Sequence, residues 1–473
     1  MVENKEQAPN STRDERREQG RALRGDCSRS SHGRWQPADD RPDPLALLQQ
    51  QDKDRLQHLL PIKYGRMVAS PFAFLRGSAV VMASDLADTP VTGIETILCG
   101  DAHLSNFGVF ATPERTMVFD INDFDEAYPG PWEWDLKRLA ASAAVAGRSS
   151  GFSDFVNREM AETVATAYQR AMQHFTNHTT LEMWYYDVDA EDVLKLFERI
   201  SSKQGRKGAA KMISKAQKRT QAQTLDKLTA IEDGRRRIVS DPPLLVPFRT
   251  EIFKQIVGTP NESGITISTI RDGWQQYLDS LPTERRFLLQ RYRIADMALR
   301  VGGVGSVGTH CFITLLEGLD DDDAIILQLK EAGSSVLEKH LGKRVYKRHA
   351  ERVVTGQRLI QTSSDIFLGW HKGSISGLDY YWRQLKDMKG SLEVEELDEK
   401  GLKTYLALCA WSLARAHART GDAAQTIGYL GSNDSFAQAI GKFALAYADQ
   451  TEQDHHALEN AVKSGRIDAE LGI

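Results

Sequence analysis

Residues 99–110 read CGDAHLSNFGVF, and residues 117–140 read MVFDINDFDEAYPGPWEWDLKRLA. Asp101 and Asn106 lie five positions apart, and Asp120, Asp123, Asp125 and Asp135 follow within the second stretch. Asp and Asn are frequent in turns because their short side chains bond nearby backbone, and for any one of these residues that is the plainer reading. The ordered set says more. A loop Asp can accept the proton of an attacking hydroxyl, while an Asn oxygen and a later carboxylate are hard ligands for the Mg²⁺ that bridges nucleotide phosphates. Asp101 is therefore the candidate catalytic base, with Asn106 and one of the following aspartates as candidate metal ligands.

A second constellation lies two hundred residues on. GVGSVG, Gly303 to Gly308, is a G-x-G-x-x-G, and AIILQLKEA at 324–332 carries Lys330 among apolar residues. Glycines in a hairpin can simply satisfy tight backbone geometry. A dinucleotide fingerprint needs these glycines between a strand and a helix; here a second strand-like run, CFITLLEG, follows, so that reading is rejected. The remaining context is a glycine-rich loop whose backbone covers phosphates, followed by a strand lysine that pairs with them. Gly303, Gly305, Ser306, Gly308 and Lys330 are the candidate nucleotide-binding residues. The plainer reading of Lys330 is a strand lysine whose stem snorkels along apolar surface. A carboxylate should hold it, and Glu351 is preferred to Glu338.

These residues carry a resemblance. CGDAHLSNFGVF resembles the catalytic loop of the aminoglycoside-phosphotransferase branch of the protein-kinase-like superfamily, with Cys99 where that motif has His. NDFDEA resembles its metal-binding segment, and Asp135 of WDLKRLA the buried Asp that braces the loop. The metal ligand is open among Asp120, Asp123 and Asp125. Asp123 precedes Asp135 by twelve residues, the spacing the resemblance implies, and is chosen; replacement of Asp120 by Asn is then expected to do little. Asp125 and His103 take supporting roles. The chain as a whole, including YGRMVASPFAFLRG, also resembles the bacterial domain-of-unknown-function 2252 family.

In kinases the glycine loop precedes the catalytic loop, whereas here it follows. The resemblance thus implies an α+β, protein-kinase-like two-lobed fold in circularly permuted order, predominantly helical with a small antiparallel sheet lobe. Permutation is cheap where termini lie close together at the surface. The helix-patterned YLALCAWSLARAHART would then lead into the catalytic loop, with His417 as a buried structural histidine on its apolar face.

The expected organisation is a disordered polar tail (1–45), a helical lobe with the catalytic loop and metal segment (46–295), a β-rich nucleotide-binding lobe (296–390) and a helical return (391–473). A helix-like charged segment is expected over Leu337–Ile360. The 473 residues are 41% apolar and 26% charged, ordinary for a soluble protein, and the net charge of −5 gives no global push toward nucleic acid or membrane. Lys207, Lys211 and Lys215 form one helical stripe, read first as a solvated face. Four scattered cysteines argue against disulfides or zinc, and no apolar run approaches membrane-spanning length. With no signal-type apolar core at the N-terminus either, the expected location is cytoplasmic.

The expected function is an ATP- and Mg²⁺-dependent phosphotransferase acting on an unidentified hydroxyl-bearing acceptor, small molecule or protein. No sequence-specific nucleic acid and no membrane partner is expected. The alternatives are a pseudokinase-like nucleotide-binding module without turnover, or a nucleotidyl transferase using the same cleft.

Overall fold

The computed structural model describes residues 11–257, 266–320, 323–342, 345–373, 377–385 and 388–473. Short runs of β-branched and aromatic residues between turn signals become its strands. Glu95–Leu98 (β1) pairs antiparallel with Tyr128–Pro131 (β4), and Phe107–Ala111 (β2) pairs with Met117–Ile121 (β3). Thr229–Glu232 (β5) and Arg235–Ile238 (β6) make a separate hairpin. Leu245–Pro247 (β7), Arg293–Arg300 (β8), Cys311–Glu317 (β9), Ala324–Ala332 (β10), Gly369–Lys372 (β11) and Asp379–Gln384 (β12) form one six-stranded antiparallel sheet, ordered β11-β12-β10-β9-β8-β7. The molecule is α+β and about 54% helical, with small antiparallel sheets.

The principal helices are Arg13–Ala22 (α1), Pro71–Gly77 (α2), Glu133–Ser149 (α3), Asp154–Phe175 (α4), Lys203–Lys218 (α5), Gln221–Leu228 (α6), Ile267–Asp279 (α7), His349–Ile360 (α8), Glu399–Thr420 (α9), Ala423–Leu430 (α10) and Ser435–Lys463 (α11). Helix α3 is buried on all sides from Glu133 to Gly147. Its run of small residues, LAASAAVAG, lets α4 and α11 pack closely around it, the situation in which a helix needs no polar face. The six-stranded sheet has its own cores. On one face Leu299, Phe312, Leu327, Leu329 and Trp382 pack with Tyr277 of α7. On the other, Ala298, Ile313, Leu315 and Ile326 pack with Leu225 of α6 and Ile238.

Three boundaries differ from expectation. The polar tail is ordered from residue 11: a Thr12–Glu15 capping box starts α1, whose Gly20 lies directly against the backbone of α10, and His32 is buried. Residues 1–10 lie outside the described residues. The sheet layer begins well before residue 296, because β7 pairs with β8, and α6 and α7 cover the sheet's two faces. Polar composition concealed both assignments, since amphipathic pieces acquire their partners only in the fold. The charged segment 337–360 is broken into Glu338–Leu341 and α8, with Gly342 turning the chain at a φ of 71°.

The lysine stripe is on α5, where Lys211 and Lys215 pair with Glu393 and Glu396 of the connector to α9 at 2.7–2.8 Å. Among the described residues no helix is long and apolar enough to cross a membrane, and all four cysteines are free and buried.

Candidate active site

The stretch 99–106 is a loop between β1 and β2, and helix α3 holds it. Asp135, buried in the first turn of α3, accepts the backbone N–H groups of Cys99 (2.8 Å) and Gly100 (3.0 Å). His417 of α9 lies 3.3 Å from the same carboxylate through Nε2, and its Nδ1 meets the Tyr168 hydroxyl at 2.8 Å. A carboxylate can only accept, so Nε2 carries a proton and donates it to Asp135. His417 is thus buried, as expected of a structural histidine on the helix's apolar face. Gly100 has a φ of 82°, and a Cβ there would sit 2.2 Å from the Glu126 carbonyl oxygen. Only glycine fits this turn.

Arg138, three residues beyond Asp135 and so on the same helix face, donates from Nε (2.9 Å) and Nη2 (2.7 Å) to Asp101 Oδ1. The other oxygen, Oδ2, faces His103 Nε2 at 3.7 Å. Burial, with Arg76 and Arg138 adding to it against the pull of Asp101, holds the His103 imidazole down to about 4. It is neutral at pH 7.

Asn106 ties this loop to the acidic segment. Its Nδ2 donates to the Asp101 and Asp123 carbonyls (3.1 Å each), and its Oδ1 accepts the Asp123 N–H at 2.8 Å, leaving one lone pair free. Burial pushes the Asp123 carboxyl up, but Lys330, Arg383 and Lys389 outweigh that and hold it down to about 2. Asp120 is elsewhere. Wholly buried on β3, it accepts from Arg415 of α9 (2.7 Å) and the Thr362 N–H (2.6 Å). Of the three candidate metal ligands, Asp123 and Asp125 line the cleft.

From the sheet, Lys330 reaches the same place. Its ammonium pairs with Asp125, lies 3.7 Å from Asp123 Oδ2, and is held above its usual range against the cost of burial by those two carboxylates. Tyr381 on β12 donates to Asp125 Oδ1 at 2.6 Å. The expected partner Glu351 is not Lys330's ion pair. Glu351 stands on the first turn of α8, whereas Asp123 and Asp125 approach directly from the loop after β3. No sequence spacing could have revealed that meeting across 205 residues.

The glycine-rich segment is the turn between β8 and β9, as expected. Its carbonyls are tied from outside the sheet: Arg55 donates to Gly305 O (2.9 Å) and Val307 O, Arg66 to Gly302 O, and the Leu56 N–H to Gly308 O (2.7 Å). A Cβ on Gly303 would meet nothing within 4 Å, so the space over that residue is open to a ligand. Gly303, Gly305, Ser306, Lys330, Asp101, His103, Asn106, Asp123 and Asp125 all line one cleft of about 1200 Å³, together with Arg76, Arg219, Arg300, Arg383 and Lys389.

Residues 55–461 match the family model described as an uncharacterized protein conserved in bacteria, DUF2252. The chain belongs to the DUF2252 family. No curated protein and no solved structure matches it significantly. In this DUF2252 protein the sequence reading overlooked Arg138, Arg55 and the cleft cations Arg300, Arg383 and Lys389. Arg138 had a usable signal, its i+3 spacing from Asp135; the others become visible only when the sheet and the helices close on each other.

Proposed function

We propose that this protein is an ATP- and Mg²⁺-dependent phosphotransferase with a protein-kinase-like arrangement in circularly permuted order. One observation carries the reading. A loop Asp, an Asn and a flanking Asp from residues 101–123 share a cleft with a strand lysine and a glycine turn from residues 303–330, with Lys330 and Asp123 only 3.7 Å apart. In phosphoryl transfer the protein supplies positioning and charge, and these are the parts that do it.

The permuted order is supported at the joint. The last turn of α9 abuts β1, where the Thr96 hydroxyl donates to the His417 carbonyl (3.1 Å) and Thr420 Oγ1 accepts the Ile97 N–H (3.1 Å). The chain's last long connection to the sheet thus returns, through α9, to the strand that opens the catalytic loop. The hairpin β8–β9 carries the glycines and β10 carries Lys330, contiguous in sequence and in the sheet.

Asp101 would accept the acceptor's hydroxyl proton, with Arg138 fixing the carboxylate in place. Asp123, Asp125 and the free lone pair of Asn106 are the oxygen donors that would hold Mg²⁺, a hard cation suited to this set. When bound, the ion would offset the charge of the phosphates. Lys330, now shared by two carboxylates, would turn to the phosphates.

Thermal unfolding with and without nucleotide tests the reading. ATP with Mg²⁺ at a hundred times Kd should stabilise the fold by about 2.7 kcal/mol, and ATP in EDTA by less. No shift with any nucleotide would overturn it. Product analysis then separates the rivals: transfer yields ADP and a phosphorylated acceptor, nucleotidyl transfer yields pyrophosphate, and a binding module yields neither.

Two variants separate metal from phosphate. Asp123→Asn removes a negative charge from the oxygen set, so the gain in ATP affinity from Mg²⁺ should vanish while metal-free binding persists. Lys330→Ala should weaken ATP with or without metal, because a point charge on the phosphates is gone. Titration calorimetry of both proteins reads the difference, and identical behaviour would refute these roles.

A further inference from the structure

We propose that Arg300, Arg383 and Lys389 form a phosphate-binding subsite at the inner end of the cleft, beyond Lys330. The proposal deepens the phosphotransferase reading by giving the chemistry of a second ligand group, and it rests on that reading only for what occupies the outer end.

The strand register places these cations. Lys330 stands opposite both Cys311 and Tyr381, and Arg300 follows the Leu299–Phe312 pair, so Arg300, Cys311, Lys330 and Tyr381 form one cross-strand row. Side chains alternate along a strand, so the next row on the same face is Ala298, Ile313, Gln328 and Arg383. Beyond it the face is closed, because Leu225 of α6 packs with Ala298, Ile313 and Ile326. Gln328 and Arg383 are therefore the last row open to the cleft. Lys389 and Arg219, whose guanidinium donates to the Lys389 carbonyl at 3.0 Å, line the cleft on the connector side.

The charge there is unanswered. Lys330 has Asp123 and Asp125, whereas the Arg300 and Lys389 side chains, both half-buried, make no hydrogen bond or ion pair among the described residues. Arg383 donates from Nε to Gln328 Oε1 at 3.0 Å and lies over the Tyr381 ring at 5.8 Å, but it contacts no carboxylate. Asp123 acts on Arg383 and Lys389 through space without touching either. Asp125 likewise reaches Arg383, and Asp365 reaches Lys389, only through space; three desolvated cations converging with no carboxylate in contact are costly unless a ligand supplies one. No Phe, Tyr or Trp is among the described residues lining the cleft, and the side chains at this end are cationic or amide. Phosphate oxygens fit this end, with Arg383 able to donate two parallel N–H groups.

The phosphate could be the nucleotide's own polyphosphate, entering tail-first, or a phosphate carried by the acceptor. Both are the same chemistry at the subsite.

The test uses the full chain and inorganic pyrophosphate in EDTA, followed by titration calorimetry. Wild type should bind it. Arg300→Gln and Lys389→Gln, each losing a charged hydrogen bond, should weaken binding by about tenfold or more, while Lys207→Gln, on the exposed stripe of α5 outside the cleft, binds like wild type. Urea unfolding checks that the variants are folded. Absence of pyrophosphate binding, or equal binding by wild type and both Gln variants, would overturn the subsite. Competition identifies the source. If Mg·ATP excludes pyrophosphate, the subsite takes the nucleotide's polyphosphate; if both bind together, it takes a phosphate on the acceptor. Pyrophosphate binding through Lys389 in a protein that ignores Mg·ATP would instead sink the phosphotransferase reading and leave the subsite standing.

Discussion

Asp101→Asn is expected to lower phosphoryl transfer by about 100-fold or more while Mg·ATP binds as in wild type. A positioned general base contributes about 10²–10⁴ in rate, and the substitution removes the proton acceptor without removing the loop's anchor. The Asn oxygen can still accept from Arg138, which now spans 2.7–2.9 Å to Asp101 Oδ1. Asp135 still holds the Cys99 and Gly100 N–H groups, and Asn106 still bonds the residue 101 carbonyl. Shape is kept and chemistry is lost. Single-turnover transfer from labelled ATP, paired with calorimetric Mg·ATP binding, separates the two. A variant that turns over like wild type would mean that residues 99–106 form only a turn.

Asp120→Ala is expected to cost about 3–5 kcal/mol of stability and to leave Mg·ATP affinity unchanged in the protein that remains folded. Asp120 is fully buried and answers the Arg415 guanidinium at 2.7 Å, itself 1% exposed. Removing one partner strands the other charge in the core, where Arg415 would keep only the Ile360 carbonyl. Replacing both, as Asp120→Leu with Arg415→Met, should recover much of the loss, because apolar pairs of similar volume pack where a buried ion pair stood. Urea denaturation measures each step. A loss below about 1 kcal/mol for Asp120→Ala would show that the pair is solvated in solution. The sequence reading took Asp120→Asn as a silent control. The structure replaces that expectation with a stability cost, softened in Asn by the oxygen that can still accept from Arg415.

The local elements were legible because their signals are local. AIILQLKEA is an apolar run bounded by turn residues, and it forms β10 over the expected residues 324–332. The turn chemistry of CGDAHLSN was legible too, since a glycine at positive φ and short polar side chains make a loop wherever they stand. So was the buried place of His417, on the apolar face of a long helix. What misled was composition: the first turn of α1 is as polar as any tail, and its single buried position, Gly20, shows only against α10.

The sequence by itself determined which residue types could do chemistry, and that a loop Asp, an Asn and later carboxylates were available with a glycine turn and a strand lysine. Tertiary structure decided the partners: Asp125 and Asp123 rather than Glu351 for Lys330, Arg138 for Asp101, Arg415 for Asp120, and no carboxylate for Arg300 or Lys389. The physical reason is range. Hydrogen bonds within a turn or along a helix face are fixed by a few neighbouring residues, whereas the ion pairs of the cleft form only when sheet and helices, separated by hundreds of residues, bury their apolar faces and bring the charges between them together.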